Sequence, residues 1–206
     1  MTFPDRPYDS AAGYCDAYFE RIAAASASID RKRVAEAAAI LEVAYREGRT
    51  LFVCGNGGSA AIANTFVPDH VKLVRTDTDL MARVISLSDN IPMITAIAND
   101  ISYDDVFSYQ LATQARPGDV LATISASGNS ENVVRAARWA RDNGMAVIAL
   151  TGFDGGRSRE LATVSLHVAA DNYGVIEDTH QSLMHLLAQY IRQANMDAGL
   201  VSQRKF

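Results

Sequence analysis

Short apolar runs alternate with polar, glycine-bearing turns along most of this chain, and the alternation predicts its fold. Runs near 51–54, 83–87, 120–124, 146–150 and 164–168 read as strands, separated by helical or loop segments. Strands that alternate with helices form a parallel sheet covered on both faces. The expected fold class is therefore α/β, a three-layer αβα sandwich with a five-stranded parallel sheet. Two helices are predicted ahead of the first strand. Residues 10–29 carry Tyr14, Tyr18, Ile22 and Ile29 at helical spacing, and Asp30 is placed to cap a second helix bearing Val34, Ala38, Leu41 and Tyr45. No linker, fixed-period repeat or low-complexity tract appears, so one domain over 1–206 is expected.

Two of the turns carry candidate chemistry. Cys54-Gly55-Asn56-Gly57-Gly58-Ser59 follows an apolar run and leads into a helix-prone segment. Ser125-Ala126-Ser127-Gly128-Asn129-Ser130 repeats the arrangement after residues 120–124. Strand-to-helix turns of this kind point backbone N–H groups and hydroxyls at an anion, which the helix dipole also favours. A lone Gly-Gly-Ser is more often a mere tight turn, but a pair in the same context points to one anionic ligand held between them. Neither turn has the Gly-Lys-Ser/Thr ending of a P-loop or the spacing of a dinucleotide fingerprint. In a parallel sheet such ligands sit beyond the carboxyl ends of the strands, which is where both turns fall.

Composition narrows the partners. A chain of 206 residues with 49% hydrophobic content is long enough for one sizeable core. Its net charge of −5 and lack of a Lys/Arg cluster argue against nucleic acid or an anionic membrane. No apolar run approaches the roughly 18 residues of a membrane span. Cys15 and Cys54, the two cysteines, read as free thiols in a reducing cytoplasm.

Four motifs in order carry a resemblance over nearly the whole chain: Gly55 to Ser59; Thr95 to Asp100; Gly118 to Leu121 with Ile124 to Ser130; and Leu150 to Gly156. Together they resemble the SIS (sugar isomerase) family, and within it the phosphoheptose isomerases, which interconvert sedoheptulose 7-phosphate and its aldose. The resemblance implies a phosphorylated sugar bound by Asn56, Gly57, Gly58, Ser59, Asn99, Asp100, Ser125, Ala126, Ser127, Ser130 and Glu177. It also implies N-terminal helices, about 10–48, that pack between subunits of an oligomer. A homotetramer, or at least a dimer, is expected, since the arm and the apolar last helix (Leu183, Leu186, Leu187, Ile191) offer more apolar surface than one such core covers.

Aldose–ketose isomerisation moves a proton between neighbouring carbons through an enediol and needs a base and an acid. The family places a His and a Glu four residues apart after the first turn, and a Gln and a His eight apart on the last helix. In many members these four bind zinc, and the Glu and second His are the proposed base and acid. Here the positions hold Thr65, Asp69, Glu177 and His185, so only the last keeps its residue type. Asp69 and His185 are the expected proton-transfer pair. Asp69, Glu177 and His185 remain as donors for a divalent metal such as zinc, with Thr65 a poor ligand.

Pro68 is expected to kink the helix carrying Asp69 or delay its start, which would let His70 swing into the site. Glu177, Gln181 and His185 share one face of the last helix, with His180 on its flank, about 60° from Glu177. His167 reads as a structural histidine and Trp139 as core or interface. The family's Ser-Thr-Ser triplet becomes Ser125, Ala126 and Ser127, and an Arg that commonly precedes the last-helix Gln is Val175. Three functions are consistent with these residues: an isomerase for a ketose phosphate of about seven carbons; a sugar phosphate binding regulator without turnover; and an assembly factor like the family's DnaA-binding relative.

Overall fold

The computed structural model describes residues 2–206. Its sheet has five parallel strands in the order β2-β1-β3-β4-β5: β1 (Thr50–Gly55), β2 (Arg83–Ser86), β3 (Val120–Ser125), β4 (Ala146–Thr151) and β5 (Val164–His167). β1, β3 and most of β4 are buried along their length, as apolar strands covered on both faces must be. Alternate side chains divide between two cores. Leu51, Val53, Ile124, Ile148 and Leu150 join α2 (Arg31–Arg46), α3 (Gly58–Pro68) and α8 (Tyr173–Asn195) on one face. Phe52, Cys54, Leu121 and Val147 join α4 (Ile91–Asp100), α5 (Ser108–Gln114) and α6 (Glu131–Asp142) on the other. Trp139 is half-buried against this second core.

The N-terminal helices differ from each other. α1 (Ala11–Ser28) is capped by Ser10 and buries only Ala25, leaving Phe19 62% exposed. α2 is capped by Asp30, whose carboxylate accepts from the Lys32 N–H at 2.8 Å, and it buries Ala37, Ala38, Leu41, Ala44 and Tyr45. It is thus a core helix of its own chain.

Pro68 acts differently from the expected kink or late start. α3 begins at Gly58 and runs regularly to Pro68, and a π-helical turn, Asp69–Leu73, follows, closed by the Val74 N–H donating to the Asp69 carbonyl at 3.2 Å. Proline has no N–H for the α-helical ladder, so a wider turn after it sacrifices little. His70 does not reach the ligand site. It is fully buried, Nδ1 lies 2.7 Å from the Tyr45 hydroxyl, and its ring stacks on Phe66 at 4.8 Å.

Registers Gly55↔Ile124 and Ser125↔Thr151 bring the carboxyl ends of β1, β3 and β4 level. The chain leaves β1 toward β2 on one side, whereas β3 leads to β4 on the other. The crevice between β1 and β3 is the switch point at which such sheets bind ligands.

Candidate functional site

A cavity of about 260 Å³ opens at this switch point. Asn56, Gly57, Gly58 and Ser59 form one wall, and Ser125, Ala126, Ser127 and Ser130 form another. Tyr173 and Glu177 of α8 close the third side. α3 and α6 both begin here without a side-chain cap from Gly57 or Ser130, leaving the N–H groups of Gly58, Ser59, Glu131 and Asn132 for a ligand, while the Val133 N–H donates to Asn132 Oδ1 at 2.9 Å. Neither lysine nor arginine lines the cavity. A phosphate would be held by N–H groups, hydroxyls and two helix dipoles.

Each turn is locked by contacts that the sequence did not disclose. The amides of Asn56 and Asn132 bond reciprocally at 2.9 and 3.0 Å, tying the first turn to α6, and the Tyr103 hydroxyl donates to Asn56 Oδ1 at 3.0 Å. The Ser88 hydroxyl donates to the Gly55 carbonyl at 2.8 Å. In the second turn the Gly128 N–H donates to the Ser125 carbonyl at 3.0 Å, and the Ser158 N–H donates to the Gly128 carbonyl at 2.9 Å. Gly128 has φ +65° and meets Gly155 so closely that a Cβ there would lie 2.7 Å from the Gly155 carbonyl carbon.

Glu177 faces the start of α3. A Cβ on Gly58 would lie 2.7 Å from the Glu177 carboxyl carbon, so only glycine leaves that carboxyl its place. Burial, then the charge of neighbouring Asp178, pushes the Glu177 carboxyl above its ordinary value. Asp178 itself accepts from the Tyr18 hydroxyl at 2.7 Å, and burial followed by this bond raises Tyr18 to about 12.

Asp69 and His185 meet across the π turn and α8. His185 Nδ1 donates to Asp69 Oδ2 in a short contact, and its Nε2 accepts from the Gln181 amide at 2.9 Å. The pair does not line the loop cavity; His185 borders a separate surface hollow with Ser182, Gln189 and Tyr190. His185 follows Glu177 by eight residues on α8, or about 12 Å along its axis.

Other expected residues lie elsewhere. Asn99 and Asp100 end α4, are exposed and bond to each other at 2.7 Å, and they do not line the cavity. His180 is fully buried and does not line the cavity, and burial lowers its imidazole to about 4. His167 sits 3.1 Å from the Thr151 hydroxyl, in a structural role.

The implied zinc does not fit the residues present. Thr65 donates its hydroxyl to the Ala61 carbonyl, Asp69 and His185 engage each other, and the Glu177 carboxyl is set against Gly58 at the start of α3. Among the described residues no three His, Cys, Asp or Glu side chains cluster as a metal site.

A model described as the SIS domain matches residues 14–152. The chain belongs to the SIS domain family. It is 40% identical over 150 residues to the phosphoheptose isomerase of Mycobacterium tuberculosis, covering 73% of this chain and 76% of that one. It is 38% identical over 174 residues to a probable phosphoheptose isomerase of Thermoplasma acidophilum, covering 84% and 95%. The phosphoheptose isomerase of Francisella tularensis superposes with a TM-score of 0.83 at 30% identity, covering 89% of this chain and 99% of that one. The three-layer fold with a five-stranded parallel sheet is thus that of this SIS group.

Proposed function

We propose that this chain isomerises a ketose phosphate of about seven carbons, sedoheptulose 7-phosphate to its aldose 7-phosphate, through an enediol. Its relatives carry that activity in their names over most of both lengths. The observation that carries the reading is the arrangement on α8: an anion cavity at Glu177, and an acid–base pair about 12 Å along at His185. In an extended heptulose 7-phosphate, phosphorus and C2 are seven bonds apart, roughly 9 Å at about 1.3 Å of advance per bond in a zigzag chain. A sugar anchored at Ser59, Ser125, Ser127 and Ser130 therefore brings C1 and C2 toward Asp69 and His185. There the Asp69 carboxylate takes the C1 proton and returns it at C2, while His185 serves the two oxygens.

The oligomer belongs to the same reading. Exposed Phe19 on α1 and Leu186 and Tyr190 on α8 support subunit contacts, and we assign a homotetramer. No helix among the described residues is long and apolar enough to cross a membrane. Cys15 and Cys54, both free, support a cytoplasmic setting.

The test is solvent deuterium incorporation at the carbon beside the carbonyl across a panel of ketose phosphates. Asp69→Asn and His185→Ala should each slow exchange by about 10² to 10⁴ while leaving sugar phosphate affinity largely intact. Wild-type rates in both variants would refute the pair. A wild type that binds sugar phosphates without exchange would instead be a binding regulator.

A further inference from the structure

Asn56 lines the phosphate cavity, and a carboxamide can present either of two opposite chemistries to a ligand. Its Nδ2 donates two hydrogen bonds and its Oδ1 accepts two, and a half-turn about the last side-chain bond exchanges them. Which end serves the site therefore has to be fixed by neighbours. Here they are Asn132 of α6 and Tyr103, in the short helical turn Tyr103–Asp105. Asn132 is 2% exposed and does not line the cavity, so any effect it has on a ligand passes through another residue.

The orientation starts from a backbone group. A main-chain N–H can only donate, and that of Val133 donates to Asn132 Oδ1 at 2.9 Å, which settles the end of the Asn132 amide that carries the oxygen. That oxygen takes its second bond from Asn56 Nδ2 at 2.9 Å, and Asn132 Nδ2 donates to Asn56 Oδ1 at 3.0 Å. With the Asn56 amide turned round, nitrogen would face nitrogen and oxygen would face oxygen, two like contacts in place of two bonds. The Tyr103 hydroxyl also donates to Asn56 Oδ1, at 3.0 Å. Both acceptor positions of that oxygen are thus filled, whereas Nδ2 has used one of its two hydrogens. A single N–H is what the Asn56 side chain retains for a ligand.

Resting on the sugar phosphate reading of the cavity, we propose that Asn132 is a positioning residue of the site: it relays the polarity of the Val133 N–H to Asn56, so that Asn56 offers the bound sugar phosphate an N–H rather than its oxygen. The group received beside the first turn must then be an acceptor, such as a phosphate oxygen. A phosphate dianion has no proton for a carbonyl oxygen, so the reversed amide would forfeit a charge-assisted hydrogen bond and set two oxygens against each other. The same pair joins the two turns, since Asn56 belongs to the first and Asn132 opens the helix that follows the second. Burial of Asn132 keeps water from competing for these bonds, which strengthens them.

A double-mutant cycle on ligand affinity separates this relay from a merely structural role. The probe is sedoheptulose 7-phosphate, followed by calorimetric titration. Asn56→Ala should raise Kd roughly 10- to 150-fold, the loss of one hydrogen bond to a charged ligand. Asn132→Leu, uncharged and of similar size, frees Asn56 to turn and should raise Kd at least about threefold. In the Asn56→Ala background the same substitution should change Kd by less than about twofold, because Asn132 then has nothing to orient. Asn132→Ala runs through the same cycle, and urea unfolding identifies any variant that is not folded, so a misfolded leucine variant leaves the alanine cycle to decide. Losses that add in the double variant would overturn the relay and make Asn132 a structural residue only. Wild-type affinity in Asn56→Ala, or in both Asn132 variants, would overturn it as well. A wild type that binds no sugar phosphate would instead refute the sugar phosphate reading itself.

Discussion

Gly128→Ala tests whether the second turn is held in its ligand-binding shape by packing or merely by backbone freedom. Gly128 has φ +65°, and a residue with a Cβ in the left-handed region costs about 1–2 kcal/mol. The new methyl would also meet backbone, 2.7 Å from the Gly155 carbonyl carbon and 3.2 Å from the Gly156 nitrogen. Backbone cannot rotate aside as a side chain can, and overpacking of this kind costs typically about 1–3 kcal/mol more. The expected loss of stability is about 2–5 kcal/mol. Gly48→Ala supplies the comparison, because Gly48 has φ +66° and nothing within 4 Å of its ideal Cβ. It should show the conformational cost alone, about 1–2 kcal/mol.

Urea unfolding measures both variants, and calorimetric titration with a sugar phosphate measures the site. A shifted second turn should lose at least one hydrogen bond to the charged ligand, about 1.5–3 kcal/mol, which is roughly 10- to 150-fold in Kd. Gly48→Ala, at the end of α2, should bind as wild type does. If the two variants cost the same, the contact with Gly155 contributes nothing. If Gly128→Ala binds the ligand at wild-type affinity, the second turn is not the anion site.

Acid should destabilise the fold through its buried histidines. Burial lowers His70 to about 3 and His180 to about 4, against about 6.5 in an unfolded chain, so below pH 6.5 the unfolded state binds more protons and stability falls with pH. Urea unfolding between pH 6 and 5 should lose up to about 1.4 kcal/mol per pH unit for each histidine, and a flat profile there would contradict their burial. Extensive chelation should leave the exchange rate unchanged, since among the described residues no three His, Cys, Asp or Glu side chains cluster as a metal site; a loss restored by zinc alone would overturn this. Light scattering should give a mass several times 22.3 kDa, and a 22.3 kDa particle at micromolar concentration would remove the proposed tetramer.

All five strands and both N-terminal helices were legible because strands buried on two faces leave continuous apolar runs, the first two helices show apolar residues at helical spacing, and Asp30 caps α2 by a side chain that sequence displays. Both ligand turns were legible for the same local reason. Contacts between distant elements were not. Asn56 with Asn132 and Tyr103 on Asn56 join residues 76 and 47 positions apart, Tyr173 reaches the cavity wall from α8, and no local pattern marks them. Asn99 and Asp100 fit the family motif in sequence yet end α4 outside the cavity, since a motif records residue types and not where a helix terminates. Pro68 announced an irregularity whose form, a π turn carrying Asp69, depends on how the chain reaches β2.

The role of α8 follows from its two unlike faces. Val175, Ile176, Leu183, Met184, Leu187 and Ile191 are buried, which fixes the helix against the sheet for most of its 23 residues. Glu177, Gln181 and His185 are half-buried on the opposite side, one turn apart. A helix anchored so thoroughly cannot change the distance between Glu177 and His185, so in the proposed reaction it acts as a ruler laid along the substrate. The phosphate end is set by two uncapped helix starts that belong to other elements, and the reactive end by a π turn that also belongs to another. On the proposed reading, substrate length is selected by the interval on α8.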